Sequence, residues 1–214
     1  FTGRGGLQRL AELCPDLAGC PLGDLNWERL APWRQILVHR CEMSPAGWRP
    51  ESLAAVEIGY ARGALPALDR NRRASGQALL LLGWLSARLG WDAAALPRKG
   101  LAPSRLIVSA GRQRVSISVT PERYGATEPG GLVSVKLLWR AGSGPQSVKI
   151  SRLADPLHLS VVREDRGRLL EDRVLAEPLG QSEMLMKQLD GEPLDPEYSQ
   201  ALQNALPLNA ALST

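Results

Sequence analysis

Arg114-Val115-Ser116-Ile117-Ser118-Val119-Thr120 alternates apolar and polar side chains without a break. A period of two puts Val115, Ile117 and Val119 on one face of a strand and the serines on the other, so one face is buried and one is wet. Ser104 to Ala110 before it and Leu132 to Leu138 after it share this texture, with glycine-containing turns at Gly111, Gly130-Gly131 and Gly142-Ser143-Gly144. The pattern continues through Ser147 to Ile150, Leu157 to Arg163 and Leu169 to Leu175. Successive strands joined by such short turns predict an antiparallel sheet.

Helical patterning brackets this region. Arg73 to Leu89 carries a stripe of Ala78, Leu79, Leu82, Leu85 and Leu89, and its other face is also largely apolar, so neighbours must cover it on most sides. Gly90 is placed to cap it. Gly6 to Leu17 reads as a helix ended near Pro15 and Gly19, Asp24 can cap a short one through Trp27, and Pro32 opens another piece reaching His39 and Cys41. Gln181 to Leu189 and Pro196 to Leu206 return to helical spacing at the end. Glu51 to Tyr60 suits either state: Leu53, Val56 and Tyr60 fit a helix, and Val56, Ile58 and Tyr60 fit a strand. The expectation is an α+β fold, with an N-terminal helical layer, a mainly antiparallel β-sheet and C-terminal helices. Residues 1–97 are expected to be the mainly helical region and 98–180 the sheet, with 181–214 packing on the same domain.

The 214 residues are 44% hydrophobic and 22% charged, ordinary values for a globular chain with a real core. The longest apolar run, around Ala78 to Leu85, falls well short of the roughly 20 residues a membrane span needs. Formal charge is only +4, and arginines alternate with acids along most of the chain, the mark of a mixed-sign surface and not of a nucleic-acid footprint. An odd number of cysteines, three, argues against a disulfide scaffold and for a reducing, cytoplasmic setting. A chain that opens on Phe1 reads as part of a longer protein.

The usual signatures of chemistry are missing. There is no G-x-x-x-x-G-K-[ST] phosphate loop, and Gly3-Arg4-Gly5-Gly6 lacks the preceding strand and the spacing of a dinucleotide site. His39 and His158 are the only side chains whose ordinary titration falls near neutrality, and neither lies in a nucleophile motif. Cys14, Cys20, His39 and Cys41 make a poor zinc set, since no C-x-x-C hook exists and His39 and Cys41 point apart on a helix. No metal or cofactor is expected. Cys14 and Cys20 could close a disulfide across Pro15 and Gly19, or remain free thiols. Arg70, Arg72 and Arg73, just before the buried helix, could hold an anion or an acidic partner, or form a solvated loop.

Asp24-Leu25-Asn26-Trp27-Glu28-Arg29-Leu30-Ala31-Pro32-Trp33-Arg34 concentrates two tryptophans and two arginines in a chain whose aromatic content is 5%. Trp and Arg anchor protein contacts at low entropic cost, which marks Trp27, Arg29, Trp33 and Arg34 as candidates to form or brace a docking surface. Core packing is the competing explanation, because tryptophans six apart face different directions on a helix.

That run, together with Gln77-Ala78-Leu79-Leu80-Leu81-Leu82-Gly83-Trp84-Leu85, Arg88-Leu89-Gly90-Trp91 and Asp195-Pro196-Glu197-Tyr198 with Ala201-Leu202, resembles the C-terminal part of the OpcA family. These are known as glucose-6-phosphate dehydrogenase assembly proteins of cyanobacteria and actinobacteria. The resemblance implies a non-catalytic partner that binds and activates glucose-6-phosphate dehydrogenase in the oxidative pentose phosphate pathway. Redox control of that enzyme in cyanobacteria directs attention to Cys14 and Cys20. An anion- or nucleic-acid-binding module using the arginine clusters is the alternative.

Overall fold

A computed structural model describes residues 24–42, 50–62, 75–91, 105–110, 113–125, 127–141, 144–176, 180, 182–184, 186 and 195–212. Seven strands form one sheet: β1 (Leu53–Ala61), β2 (Arg105–Ala110), β3 (Gln113–Glu122), β4 (Leu132–Ala141), β5 (Gly144–Arg152), β6 (His158–Asp165) and β7 (Arg168–Leu175). Their spatial order is β2-β3-β1-β4-β5-β6-β7. The helices are α1 (Leu25–Arg29), α2 (Ala31–Glu42), α3 (Gly76–Leu89) and α4 (Pro196–Leu212), and Pro50–Ser52 adds a single 3-10 turn.

The architecture is α+β, as the sequence predicts, with two refinements. The ambiguous segment Glu51 to Tyr60 contains strand β1, which lies inside the sheet between β3 and β4. Also, β1 runs parallel to β3, while every other neighbouring pair is antiparallel. Parallel neighbours need a crossover connection, and α3, lying between β1 and β2 in the chain, belongs to it. The expected helical layer thus also supplies an interior strand of the sheet.

Register explains how the apolar alternation becomes a core. Ile117 pairs with Leu106 and Val56, Val56 with Leu137, and Leu137 with Val148, so these side chains line one face. All five are buried. Their alternates Ser116, Glu57, Thr120 and Lys149 are exposed on the opposite face, where Ser147 and Ser160 donate hydrogen bonds to Glu164 and Glu171.

The helices cover the apolar face. Ser75 caps α3 by accepting a hydrogen bond from the Ala78 amide at 3.0 Å, and Gly90 closes it with φ of 61°. Every residue from Gln77 to Ser86 is buried, so the all-round apolar composition of α3 is matched by neighbours on every side. α4 packs along it so closely that a Cβ on Gly83 would stand 2.0 Å from the Ala201 carbonyl oxygen. Only glycine permits that approach. α4 continues through Pro207 to Leu212, further than its sequence pattern suggests, with Leu208 and Leu212 buried beyond the proline. Side chains from the early helices, the sheet and α4 meet in a single apolar cluster. No helix among the described residues is long and apolar enough to cross a membrane.

Candidate functional site

Asp24, itself extended, caps α1 and accepts a hydrogen bond from the Asn26 amide at 2.8 Å, which satisfies one of the unpaired donors of the helix start. The short helix turns Trp27 inward, where it is 4% exposed. Its indole Nε1 donates to Asp195 Oδ2 at 2.8 Å, and its ring lies 5.6 Å from that of Tyr198 at a tilt of 55°. Tyr198 returns the contact by donating to Asp24 Oδ2 at 3.3 Å. The start of α4 is therefore tied to the start of α1 by polar groups around two buried rings.

Arg34 closes this corner from α2. Its guanidinium carbon stands 3.5 Å from the centre of the Trp27 ring, a cation–π arrangement, and Nη1 lies 3.8 Å from Glu197 Oε2. Burial pulls the Arg34 pKa below its ordinary value, and the carboxylates of Asp195, Glu197 and Glu28 oppose that pull. The group stays charged. Its buried Nε has no hydrogen-bond partner among the described residues.

Glu197 is shared. Arg88 Nη2 on α3 reaches Glu197 Oε1 at 2.6 Å, and the Trp84 Nε1 donates to Glu197 Oε2 at 3.3 Å. One carboxylate thus serves two arginines and an indole at the mouth of a groove of about 390 Å³. Ala31, Val38 and Trp84 give the groove apolar walls, while Gln35 and His39 add polar rims. The result is a surface where two guanidinium groups share the exposed Glu197 beside an apolar strip.

The sequence candidates divide. Trp27 and Trp33 are both buried: Trp27 braces the corner from within, while Trp33, at 1% exposure, lies 5.6 Å from the Arg152 guanidinium. Arg29 pairs with Glu128 at 2.8 Å and does not line the groove. Arg34 lines the groove. Arg70, Arg72, Arg73, Cys14 and Cys20 lie outside the described residues. Cys41 is buried, His39 stands at the groove rim, and His158 pairs with Asp155 across a turn at 2.5 Å. No group of three or more metal-ligating side chains occurs among the described residues. Sequence reasoning missed Trp84, Arg88, Asp195 and Glu197 as site residues, although all four lie in the motifs that carry the OpcA resemblance.

Residues 20–202 match the model of a family described as the C-terminal domain of an OpcA-type glucose-6-phosphate dehydrogenase subunit. The chain belongs to the OpcA family. A relative from Nostoc punctiforme, provisionally named OxPP cycle protein OpcA, is 40% identical over 86 residues, which make up 40% of this chain and 16% of that protein. Its namesake from Synechocystis is 35% identical over 71 residues, 33% of this chain and 13% of the relative. The aligned stretches therefore span less than a fifth of either relative's length.

Two structures of a 3-ketoreductase from Actinomadura kijaniata, solved with NADP and TDP-benzene, share the fold. Their TM-scores are 0.56 and 0.53 at 10% and 13% identity, covering 98% and 95% of this chain and 65% of the ketoreductase. At that identity the likeness shows the fold alone.

Proposed function

We propose that this chain is a non-catalytic partner that binds glucose-6-phosphate dehydrogenase and raises its activity, docking through the groove between α2, α3 and the start of α4. The family description supports the choice of enzyme, and the shared Glu197 is the observation that supports the choice of surface. A carboxylate on an incoming chain could take a place beside Glu197, which two arginines and an indole now share. Val38, Ala31 and Trp84 would receive an apolar side chain next to it. Arginine and tryptophan surrounded by partly exposed apolar surface match the composition of protein contact sites.

Binding alone would not activate. The chain must prefer the active conformation of the enzyme, and a preference of about 1–3 kcal/mol, a roughly 5- to 150-fold ratio, suffices. Such a partner works in the cytoplasm, and Cys14 with Cys20 is where a redox link would enter.

The test is co-purification of the chain with glucose-6-phosphate dehydrogenase, followed by the substrate dependence of the enzyme with and without it, in oxidising and reducing buffer. Arg88→Glu and Val38→Asp, both at the groove, should weaken capture about tenfold or more; Arg88 is exposed, so its variant should keep a nearly unmoved thermal midpoint, while Val38, partly buried against the core, should also lose some stability. Undiminished capture by both variants would reject the groove. No association and no kinetic change with the unaltered chain would reject the enzyme as partner.

A further inference from the structure

Strand β7, Arg168-Leu169-Leu170-Glu171-Asp172-Arg173-Val174-Leu175, is an edge of the sheet among the described residues, and it combines four charged side chains with exposed leucines. Leu169 is 69% exposed and Leu175 63%, while Leu170 is also exposed. Proteins commonly protect such an edge with proline, lysine or a bulge. β7 contains no proline or lysine, and its pairing with β6 runs without a register shift from Asp165↔Arg168 to His158↔Leu175.

Backbone geometry fixes which groups face outward. The β6–β7 turn is a two-residue one, with φ of 52° at Arg166 and 80° at Gly167, so the flanking Asp165 and Arg168 form a hydrogen-bonded pair. The Ala176 amide bonding to the Leu157 carbonyl at 2.8 Å confirms that parity at the far end. Even-numbered residues of β7 therefore direct their amides and carbonyls to β6. Leu169, Glu171, Arg173 and Leu175 direct theirs away from the sheet, where no strand of the described residues pairs with them.

We propose that a second copy of this chain pairs with β7 in antiparallel fashion across a two-fold axis at Asp172, joining two seven-stranded sheets. Charge and shape select the register. An antiparallel partner must place odd residues opposite odd ones. With the axis at Asp172, Glu171 faces Arg173 twice, Leu169 faces Leu175 twice, and Leu170 faces Val174 twice. Shifting the axis to Glu171 places Glu171 against its own copy and Leu169 against Arg173. Shifting it to Arg173 places Arg173 against itself and Glu171 against Leu175. Only the central register sets opposite charges and apolar side chains against each other, the pairings that stabilise a sheet. The two Asp172 groups that meet on the axis each carry their own counter-ion, since Arg40 lies 3.0 Å away on α2. This inference stands independently of the enzyme partner and of the groove.

Sedimentation velocity of the full chain over micromolar concentrations should show a reversible dimer. Glu171→Arg and Arg173→Glu should each weaken it about tenfold or more, because both cross-strand pairs become repulsive. Mixing the two variants should restore association as a heterodimer, since both 171–173 pairs are then again of opposite sign. Unchanged circular dichroism and thermal midpoints keep a folding defect from imitating the effect. Under oxidation Asp172→Cys should form a covalent dimer, because facing residues of a non-hydrogen-bonded pair sit within disulfide reach, whereas Leu170→Cys, opposite Val174, should not exceed the unaltered chain. A chain that stays monomeric, a dimer indifferent to both charge reversals, or a mixture that fails to associate would overturn the proposal. A β7 occupied only by another protein's strand would show itself as the first of these.

Discussion

The seam between α3 and α4 and the corner between α1, α2 and the start of α4 hold neighbouring helices by opposite means. At the seam, backbone meets backbone over Gly83 and Ala201 among leucines, with every α3 residue from Gln77 to Ser86 buried. At the corner, each of Asp24, Trp27, Arg34, Asp195, Glu197 and Tyr198 touches another of the set through a polar or ring contact. A dry seam has one solution and no exchangeable partner. A polar corner at the surface can trade one acid for another, which is the ground on which we propose docking there.

The largest effect should come from breaking the seam. Gly83→Val places a Cβ 2.0 Å from the Ala201 carbonyl oxygen and 2.9 Å from the Ala205 amide nitrogen, backbone atoms that move only if the helices part. A loss of about 3 kcal/mol or more in urea unfolding is expected, as for severe overpacking. Trp33→Ala, fully inside the core, should cost a similar amount, about 3–5 kcal/mol. It therefore tests folding and leaves docking undecided, which Arg88 and Val38 can address. A Gly83→Val chain as stable as the parent would mean that the two helices are not in close contact.

Trp27→Phe breaks the corner more gently. The ring remains for Arg34 and Tyr198, but Asp195 Oδ2 loses its 2.8 Å donor. The expected loss is about 1–2 kcal/mol with an unchanged denaturant slope, the range for an unmade hydrogen bond to a charged group. The same residue binds the Glu197 amide through Oδ1 at 2.9 Å, so hydrogen exchange in the first turn of α4 should quicken while the α3–α4 seam stays protected. Equal protection across α4 would show that the corner and the seam are one unit.

The two regions also differ in how far they were legible. The α3 seam could be anticipated, because a helix apolar on all sides must be covered on all sides, and the strands from Arg105 onward announced themselves by alternation. β1 did not, for a physical reason: Gly59 and Ala61 are buried alongside Val56, Ile58 and Tyr60, so burial does not alternate and the period of two is lost. Its parallel pairing depends on where the crossover delivers β3, which no local pattern records. At the corner, the density of Trp27, Trp33 and Arg34 was visible, but the partners that decide its chemistry stand far along the chain. Trp27 and Asp195 are 168 positions apart. Which aromatic faced inward could not be read from spacing, and the structure buries both.

The exposed turn before β6 extends the comparison to its weakest end. Asp155 accepts the Leu157 amide at 2.9 Å and sits 2.5 Å from His158 Nδ1, in full contact with solvent. The backbone hydrogen bond first, and the His158 contact second, hold its carboxyl below the usual carboxylate range. A pKa lowered by folding contributes stability above the unfolded value of about 3.9, and that contribution is lost as pH falls through the folded value. Asp155→Asn should therefore lower the thermal midpoint slightly at neutral pH, by less than Trp27→Phe, and the gap should close as pH drops below about 4. The Trp27→Phe deficit arises from a contact whose donor is a neutral, buried indole, so added salt should leave it largely intact while eroding the Asp155→Asn deficit. A deficit at position 155 that persists unchanged through acid would place its origin in the turn's backbone geometry and not in the carboxylate.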